Sequence, residues 1–133
     1  MDDFYRENIL DHYRNPRNKG HLDNPTHAHE EPNPLCGDLV RIELHVNDED
    51  VIEEVRFGGE GCAISQASAS MLTEMIQGRT LEEAKQVSKD DILEALGIDV
   101  GPVRLKCALL SLKVLKVGVY GLDDWTGKDE EDW

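Results

Sequence analysis

The sequence has few basic residues and no long hydrophobic run. Its 28 Asp and Glu residues outnumber 14 Lys and Arg residues, which gives a formal net charge of −14. A surface this acidic repels nucleic-acid phosphates and anionic lipid headgroups. No apolar stretch approaches the length that spans a membrane, and the N-terminus, Met1-Asp2-Asp3-Phe4-Tyr5, is acidic where a signal peptide would be basic. We therefore expect a soluble, cytoplasmic protein with no nucleic-acid and no membrane partner.

Cysteine is also scarce, and the three cysteines lie far apart. Cys36, Cys62 and Cys107 are separated by steps of 26 and 45 residues. An odd number excludes a complete disulfide framework, and the lack of any Cys-x-x-Cys excludes a zinc ribbon or a thioredoxin-type motif. The thiols are therefore free or bind a metal, and any shared site must be assembled by the fold.

The N-terminal part of the chain predicts one helix followed by a loop. Residues 3–14 carry apolar side chains at steps of four with acidic residues in the first turn. This helix must end at Asn15-Pro16, because a residue before proline is pushed out of the α region. Residues 16–34 hold four of the five prolines and no sustained period, which predicts an extended loop. We interpret His27 and His29 in that loop as solvated rather than metal-binding.

A β-hairpin is predicted next. Residues 40–46 alternate between apolar and polar side chains, which is typical of a half-buried strand and leaves His45 facing solvent. An acidic turn at 48–50 leads into a second strand whose inner row is Val51, Val55 and Phe57.

The glycine-rich stretch Gly58-Gly59-Glu60-Gly61 predicts a sharp turn, or a close approach by another group. A helix follows Cys62, and Gly78 is placed to end it. Two short helices, each begun by a capping box, are expected over roughly 81–87 and 89–96.

A last helix is expected from Pro102 to Gly118, with Cys107 on its buried stripe and Ser111 facing elsewhere. Residues 119–133 are acidic and aperiodic, which predicts a flexible tail. Residues 1–118 then form a single domain.

The surroundings of the cysteines favour a common site. Cys62 and Cys107 fall at or within the first turns of predicted helices, where the positive end of the helix dipole stabilises a thiolate, and Lys106 adds positive charge. In an extended segment Cys36 and Asp38 point the same way. Three thiolates and one carboxylate are four ligands, the number required by tetrahedral zinc or one edge of an iron–sulfur cluster. The oxygen ligand should leave most readily, because soft metals prefer sulfur.

Simpler interpretations stay open for three of these residues. Cys107 is also explained as a small buried hydrophobic residue, and Lys106 as a solvated helix residue. Asp38 would then cap a turn through its side chain.

Four stretches together resemble a known family. They are Tyr5-Arg6 with Asp11-His12-Tyr13-Arg14-Asn15-Pro16-Arg17-Asn18-Lys19-Gly20, Cys36-Gly37-Asp38, Gly59-Glu60-Gly61-Cys62-Ala63-Ile64-Ser65-Gln66-Ala67-Ser68-Ala69-Ser70 and Arg104-Leu105-Lys106-Cys107-Ala108-Leu109-Leu110. They resemble the NifU N-terminal-like, or IscU–SufU, family of iron–sulfur cluster assembly scaffold proteins. The resemblance implies a SufE/NifU-like α+β fold, in which an N-terminal helix and several C-terminal helices pack on a three-stranded antiparallel sheet. A third strand is therefore expected beside the hairpin.

The resemblance also implies a site and its partners. Cys36, Asp38, Cys62 and Cys107 would bind zinc, or transiently a [2Fe–2S] cluster. Cys107 would accept persulfide sulfur from a cysteine desulfurase, with Cys62 as the alternative acceptor and Lys106 as support for the thiolate. The product would pass to apo iron–sulfur acceptor or carrier proteins, and the chain would be a monomer or a weak homo-oligomer.

Features of both branches of the family are present. Lys106 stands where IscU-type scaffolds have histidine, and Gly101-Pro102 stands where they have two prolines, which favours SufU. The step from Cys62 to Cys107 leaves no room for the insertion that SufU proteins usually carry, which favours a scaffold. Three functions follow: a scaffold that builds and transfers a labile [2Fe–2S] cluster, a zinc-dependent sulfurtransferase that relays sulfur without holding a cluster, and a binding module with a purely structural zinc.

Overall fold

A three-stranded antiparallel sheet in the order β1-β2-β3 forms the base of the fold. The computed structural model describes residues 7–33, 37–97 and 101–120. The strands are β1 (His27–Asn33), β2 (Asp38–Val46) and β3 (Ile52–Glu60). The helices are α1 (Glu7–Arg14), α2 (Ala63–Ile76), α3 (Leu81–Lys85), α4 (Lys89–Leu96), α5 (Gly101–Leu115) and a π-helical segment (Lys116–Tyr120). The α+β fold with a third strand, which the resemblance implied, is confirmed.

Strand β1 corrects the prediction of a continuous loop over residues 16–34. His29 pairs with Ile42 and Glu31 pairs with Val40, so the inward row of β1 faces the same side as the apolar row of β2. That inward row is polar, and a search for alternating hydrophobic residues therefore missed the strand. His29 is half-buried rather than solvated, because Gly118 of the π-helical segment packs against it and Glu31 lies 3.3 Å from its Nε2.

The β2–β3 hairpin is confirmed, but its inner row differs from the prediction. Ile52, not Val51, is fully buried with Val55 and Phe57, because the register shifts between His45 and Val46. This irregularity moves the side-chain alternation by one residue. His45 is 43% exposed, in line with its predicted place on the outer face.

The outer face of the hairpin is less solvated than alternation predicted. Glu43 is only 8% exposed. Its carboxylate lies 3.2 Å from Arg41 Nε and accepts a 2.7 Å hydrogen bond from the backbone N–H of Leu22. The guanidinium of Arg41 also lies directly over Gly58, where a β-carbon would overlap it. Strand β3 pairs with β2 as far as Glu60, so the turn predicted at Gly58 begins after Glu60.

Helix α2 is the central helix. It contacts β3 on one side, while α1, α4 and α5 pack around its other faces. Small side chains permit this crowding, and eleven of its residues are buried. On the α1 side, Ser70 Oγ lies 2.8 Å from His12 Nδ1 and accepts a 2.9 Å hydrogen bond from Arg17 N–H. These bonds fix α1 and the segment after it on α2.

The C-terminal helices follow the predicted caps. Thr80 with Glu83 and Ser88 with Asp91 form complete capping boxes, and Gly97 ends α4 in the left-handed conformation. Helix α5 packs against both α2 and the sheet. It is therefore buried on more sides than the predicted stripe, and Ser111, expected to face elsewhere, is fully buried.

Two further expectations concern the end of the chain. Helical backbone continues through the π-helical segment beyond Gly118, the predicted helix end. The predicted tail lies outside the described residues from position 121 onward. No helix within the described ranges is both long and apolar enough to cross a membrane.

Candidate metal centre

Three of the four predicted ligands meet at one end of the sheet. Asp38, Cys62 and Cys107 each offer a ligand atom, and these atoms all lie within 4.8 Å of one another. Asp38 is the first residue of β2, Cys62 precedes α2, and Cys107 lies in the second turn of α5. Cys36 lies outside the described residues, in the connection between the paired residues Asn33 and Asp38.

Asp38 links the sheet to the start of α2. Its side chain is buried, at 1% exposed, and Oδ1 accepts a 2.8 Å hydrogen bond from the backbone N–H of Cys62. The Cys62 side chain makes no capping bond, so this carboxylate satisfies a backbone donor at the helix N-terminus. Asp38 Oδ2 lies 3.8 Å from Cys62 Sγ. The capping interpretation and the ligand interpretation of Asp38 are therefore compatible, with one oxygen for each role.

Gly61 makes this approach possible. Its φ of 156° lies in a region that favours glycine, and a β-carbon there would overlap Asp38 Oδ1. The close approach by another group, predicted from the glycine-rich stretch, is thus the approach of Asp38 to Gly61.

Cys107 and Cys62 differ in exposure. Cys107 is fully buried and belongs to the hydrophobic core, as its simpler interpretation supposed, yet its Sγ is also one of the three clustered ligand atoms. Cys62 is half-buried. Lys106 is half-buried beside Cys107. Of the two, Cys62 is the thiol that solvent reaches.

Asn33 is a residue near the site that the sequence reasoning missed. It is the last residue of β1, is 6% exposed, and its Nδ2 lies 3.9 Å from Cys107 Sγ. Since β1 was not predicted from periodicity, nothing indicated that Asn33 faces Asp38. Its nearness in sequence to Cys36 was the one available signal.

The donor set fits a thiophilic metal. In a tetrahedral zinc site with Zn–S bonds of about 2.3 Å, the sulfur atoms lie about 3.8 Å apart. The described donor atoms, within 4.8 Å of one another, need only a small contraction to reach that spacing. The thiols would lose their protons on binding, and the N-terminus of α2 favours the resulting negative charge.

Comparison with known proteins finds relatives of the NifU-like, SufU and IscU types. The family profile of the NifU-like N terminal domain matches residues 4–130. The chain is 44% identical over 136 residues to the zinc-dependent sulfurtransferase SufU of Bacillus subtilis (strain 168), covering 90% of this chain and 91% of that protein. It is 37% identical over 118 residues to the iron-sulfur cluster assembly scaffold protein IscU of Escherichia coli (strain K12), covering 86% and 91%.

Solved structures agree in fold. The crystal structure of FiSufU from Fervidobacterium islandicum AW-1 is 30% identical with a TM-score of 0.75, covering 86% of this chain and 96% of that chain. The N-terminal part of a NifU-like protein from Brucella abortus, at 22% identity and a TM-score of 0.72, covers 94% of this chain and 98% of that chain and shows the fold alone.

Proposed function

Because the chain belongs to the NifU-like N-terminal domain family, we propose that it is an iron–sulfur cluster assembly scaffold. It accepts persulfide sulfur from a cysteine desulfurase, builds a labile [2Fe–2S] cluster and transfers it to apo acceptor or carrier proteins. The observation that carries this proposal is the convergence of Asp38, Cys62 and Cys107 within 4.8 Å. Cys36 supplies the fourth ligand of the set.

The hydrogen bonding of Asp38 suits a site that must release its cargo. A carboxylate oxygen holds soft metals less firmly than a thiolate does. Asp38 is tied to the start of α2 through Oδ1, so Oδ2 can leave the metal while the carboxylate stays in place. The bond to Cys62 N–H therefore keeps the Asp38 carboxylate in position after Oδ2 has dissociated from the metal.

Sulfur acceptance requires a thiolate that can reach the desulfurase persulfide. The thiolate attacks the terminal sulfur, a new S–S bond forms, the old S–S bond breaks, and the desulfurase cysteine leaves as a thiolate. Cys107 is our proposed acceptor and Cys62 the alternative, with Lys106 supporting the thiolate. Because Cys107 is fully buried and Cys62 is not, acceptance at Cys107 requires that the site open or that sulfur pass from Cys62.

A second candidate function is that of a zinc-dependent sulfurtransferase, which relays sulfur and holds no cluster. The 44% identity to a SufU that carries this name favours it. The same alignment extends over 136 residues, more than the 133 of this chain, so that SufU has positions that this chain lacks. The missing insertion noted in the sequence supports the scaffold over this alternative.

One reconstitution experiment separates the candidates. The protein is incubated anaerobically with ferrous iron, cysteine and a desulfurase, then measured by absorption spectroscopy and metal analysis. The scaffold gives visible sulfur-to-iron charge-transfer bands that disappear in the variants Cys36→Ser, Cys62→Ser and Cys107→Ser. Retained zinc with faster desulfurase turnover and no such bands would instead identify the sulfurtransferase, and a protein that unfolds on chelation and traps no persulfide would have a purely structural zinc.

We also infer a cytoplasmic location. Cluster assembly on Cys62 and Cys107, whose sulfur atoms lie within 4.8 Å of each other, requires reduced thiols. Reduced thiols persist in the cytosol.

A further inference from the structure

Asn33 and Asp38 form a cross-strand pair at the end of the sheet. They are direct partners in the register of β1 and β2, so their side chains project from the same face of the sheet. Both are almost completely buried, at 6% and 1% exposed. Buried polar side chains of this kind are expected to be hydrogen-bonded.

Each member of the pair reaches a different cysteine. Asp38 accepts the 2.8 Å bond from Cys62 N–H, and Asn33 Nδ2 donates to Cys107 Sγ across 3.9 Å. Cys62 directly precedes α2 and Cys107 lies in α5, and these two helices are not consecutive in the chain. One pair of strand residues therefore holds both helices at the site.

The backbone of Asn33 also bonds to the residue that precedes Asp38. Its carbonyl accepts a 2.9 Å hydrogen bond from the N–H of Gly37. Asn33 thus contacts Cys107 through its side chain and Gly37 through its main chain.

A neutral amide suits a metal-bound sulfur. Cys107 is fully buried, so the negative charge of its thiolate cannot be stabilised by solvent. An N–H donor stabilises that charge without adding a charge or a competing ligand, and hydrogen bonds to ligand sulfurs tune both metal affinity and reduction potential.

We propose that Asn33 is a positioning residue, which orients Cys107 Sγ toward the metal centre and stabilises its negative charge through an N–H···S hydrogen bond. This inference rests on the proposed function, in that a metal or cluster is bound by Cys107. It concerns a residue outside the four-ligand set.

The test uses the intact chain loaded with Co²⁺, whose thiolate charge-transfer band reports the electron density on sulfur. Asn33→Leu has similar volume but no donor, and we expect its band to shift to lower energy and its Zn²⁺ affinity to fall about 10- to 100-fold. Asn33→Gln keeps an amide, and its band should lie closer to that of the wild type. Asn8→Ala is the control, since Asn8 Nδ2 donates to Ala95 O at 2.8 Å on α4 and should affect stability alone.

The outcomes are distinguishable. A wild-type protein that binds Co²⁺ without a thiolate band would overturn the proposed function together with this inference. The inference alone would be overturned if Asn33→Leu had the same thiolate band as the wild type and a Zn²⁺ affinity within about twofold of it. The expected loss of affinity is about 10- to 100-fold. Should Asn33→Leu fail to fold, Asn33→Ala provides the same comparison with a smaller side chain.

Discussion

At the scale of a single residue, Asp38 makes two different contacts with its two carboxylate oxygens. One carboxylate oxygen caps α2 and the other lies 3.8 Å from a thiol. Its identity as a candidate ligand could be predicted, because an acid two residues from Cys36 in an extended segment points the same way. Its capping of a helix 24 residues later could not be predicted, since that contact depends on the tertiary structure.

Gly61→Ala should disturb the candidate metal centre by displacing Asp38. The new β-carbon would overlap Asp38 Oδ1, so we expect lower stability and weaker Zn²⁺ binding. Gly78→Ala is a matched control: Gly78 has a φ of 84° but nothing within 4 Å of the added carbon. That variant should lose about 1–2 kcal/mol of unfolding free energy from backbone strain alone and keep its Zn²⁺ affinity. Urea unfolding and chelator competition measure the two effects, and equal Zn²⁺ affinities in both variants would refute the role of the Gly61–Asp38 contact.

Asp38→Ala should slow cluster release while leaving sulfur acceptance largely intact, because it removes the ligand that exchanges most readily. It should also cost about 1 kcal/mol of stability through loss of the cap. Asp38→Asn keeps an acceptor for Cys62 N–H and should slow release with a smaller loss of stability. The measurement is the rate of transfer to an apo-acceptor, and a rate in either variant equal to or above the wild-type rate would contradict the prediction.

At the scale of secondary structure, elements could be predicted where a helix cap or an apolar–polar pattern in the sequence matched the burial of the side chains in the fold. The capping boxes of α3 and α4 and the alternation of β2 are examples. Strand β1 was missed because His29 and Glu31 face inward yet are polar. Gly118 packs against His29, and Lys113 Nζ lies 4.0 Å from Glu31 Oε1, so the partners of both come from residues more than 80 positions later in the chain. The extent of burial on α5 was missed because the sequence of a helix does not show how many neighbours surround it.

The junction of α1 and α2 should make stability depend on pH. Burial, and secondarily the charge of Arg17, lowers the pKa of His12 from its usual 6.5, although Glu74 and Asp11 oppose the shift. The unfolded chain therefore binds this proton more readily than the folded chain, so the His12 contribution is complete above pH 6.5 and is lost as the pH falls below it. Urea unfolding between pH 7 and pH 5 should show a steeper loss in the wild type than in His12→Gln. Parallel curves for the two proteins would exclude this role for His12.

At the scale of the whole molecule, the site lies where β1 ends, β2 begins and β3 ends, beside the start of α2 and the second turn of α5. Candidate ligands from three separate segments meet there, while most of the hydrophobic core consists of aliphatic side chains outside the candidate ligand set. The fold should therefore exist without metal and be stabilised by it.

Zinc should raise stability by mass action. At a free concentration of 100 times the dissociation constant, the gain is about 2.7 kcal/mol. Thermal unfolding followed by circular dichroism should show a higher midpoint with Zn²⁺ and a lower but still cooperative transition after chelation. Cys62→Ser should lose most of the zinc-dependent shift. A chain that unfolds on chelation at room temperature would instead favour a purely structural zinc.

The most direct test of the scaffold function is Mössbauer spectroscopy of the protein reconstituted with ⁵⁷Fe, together with sulfide analysis. Cys36, Asp38, Cys62 and Cys107 would provide one iron with two thiolates and the other with a thiolate and a carboxylate. We predict equal iron and sulfide and two distinct quadrupole doublets, which become more alike in Asp38→Cys. Mononuclear iron without sulfide in the wild-type protein would contradict the account.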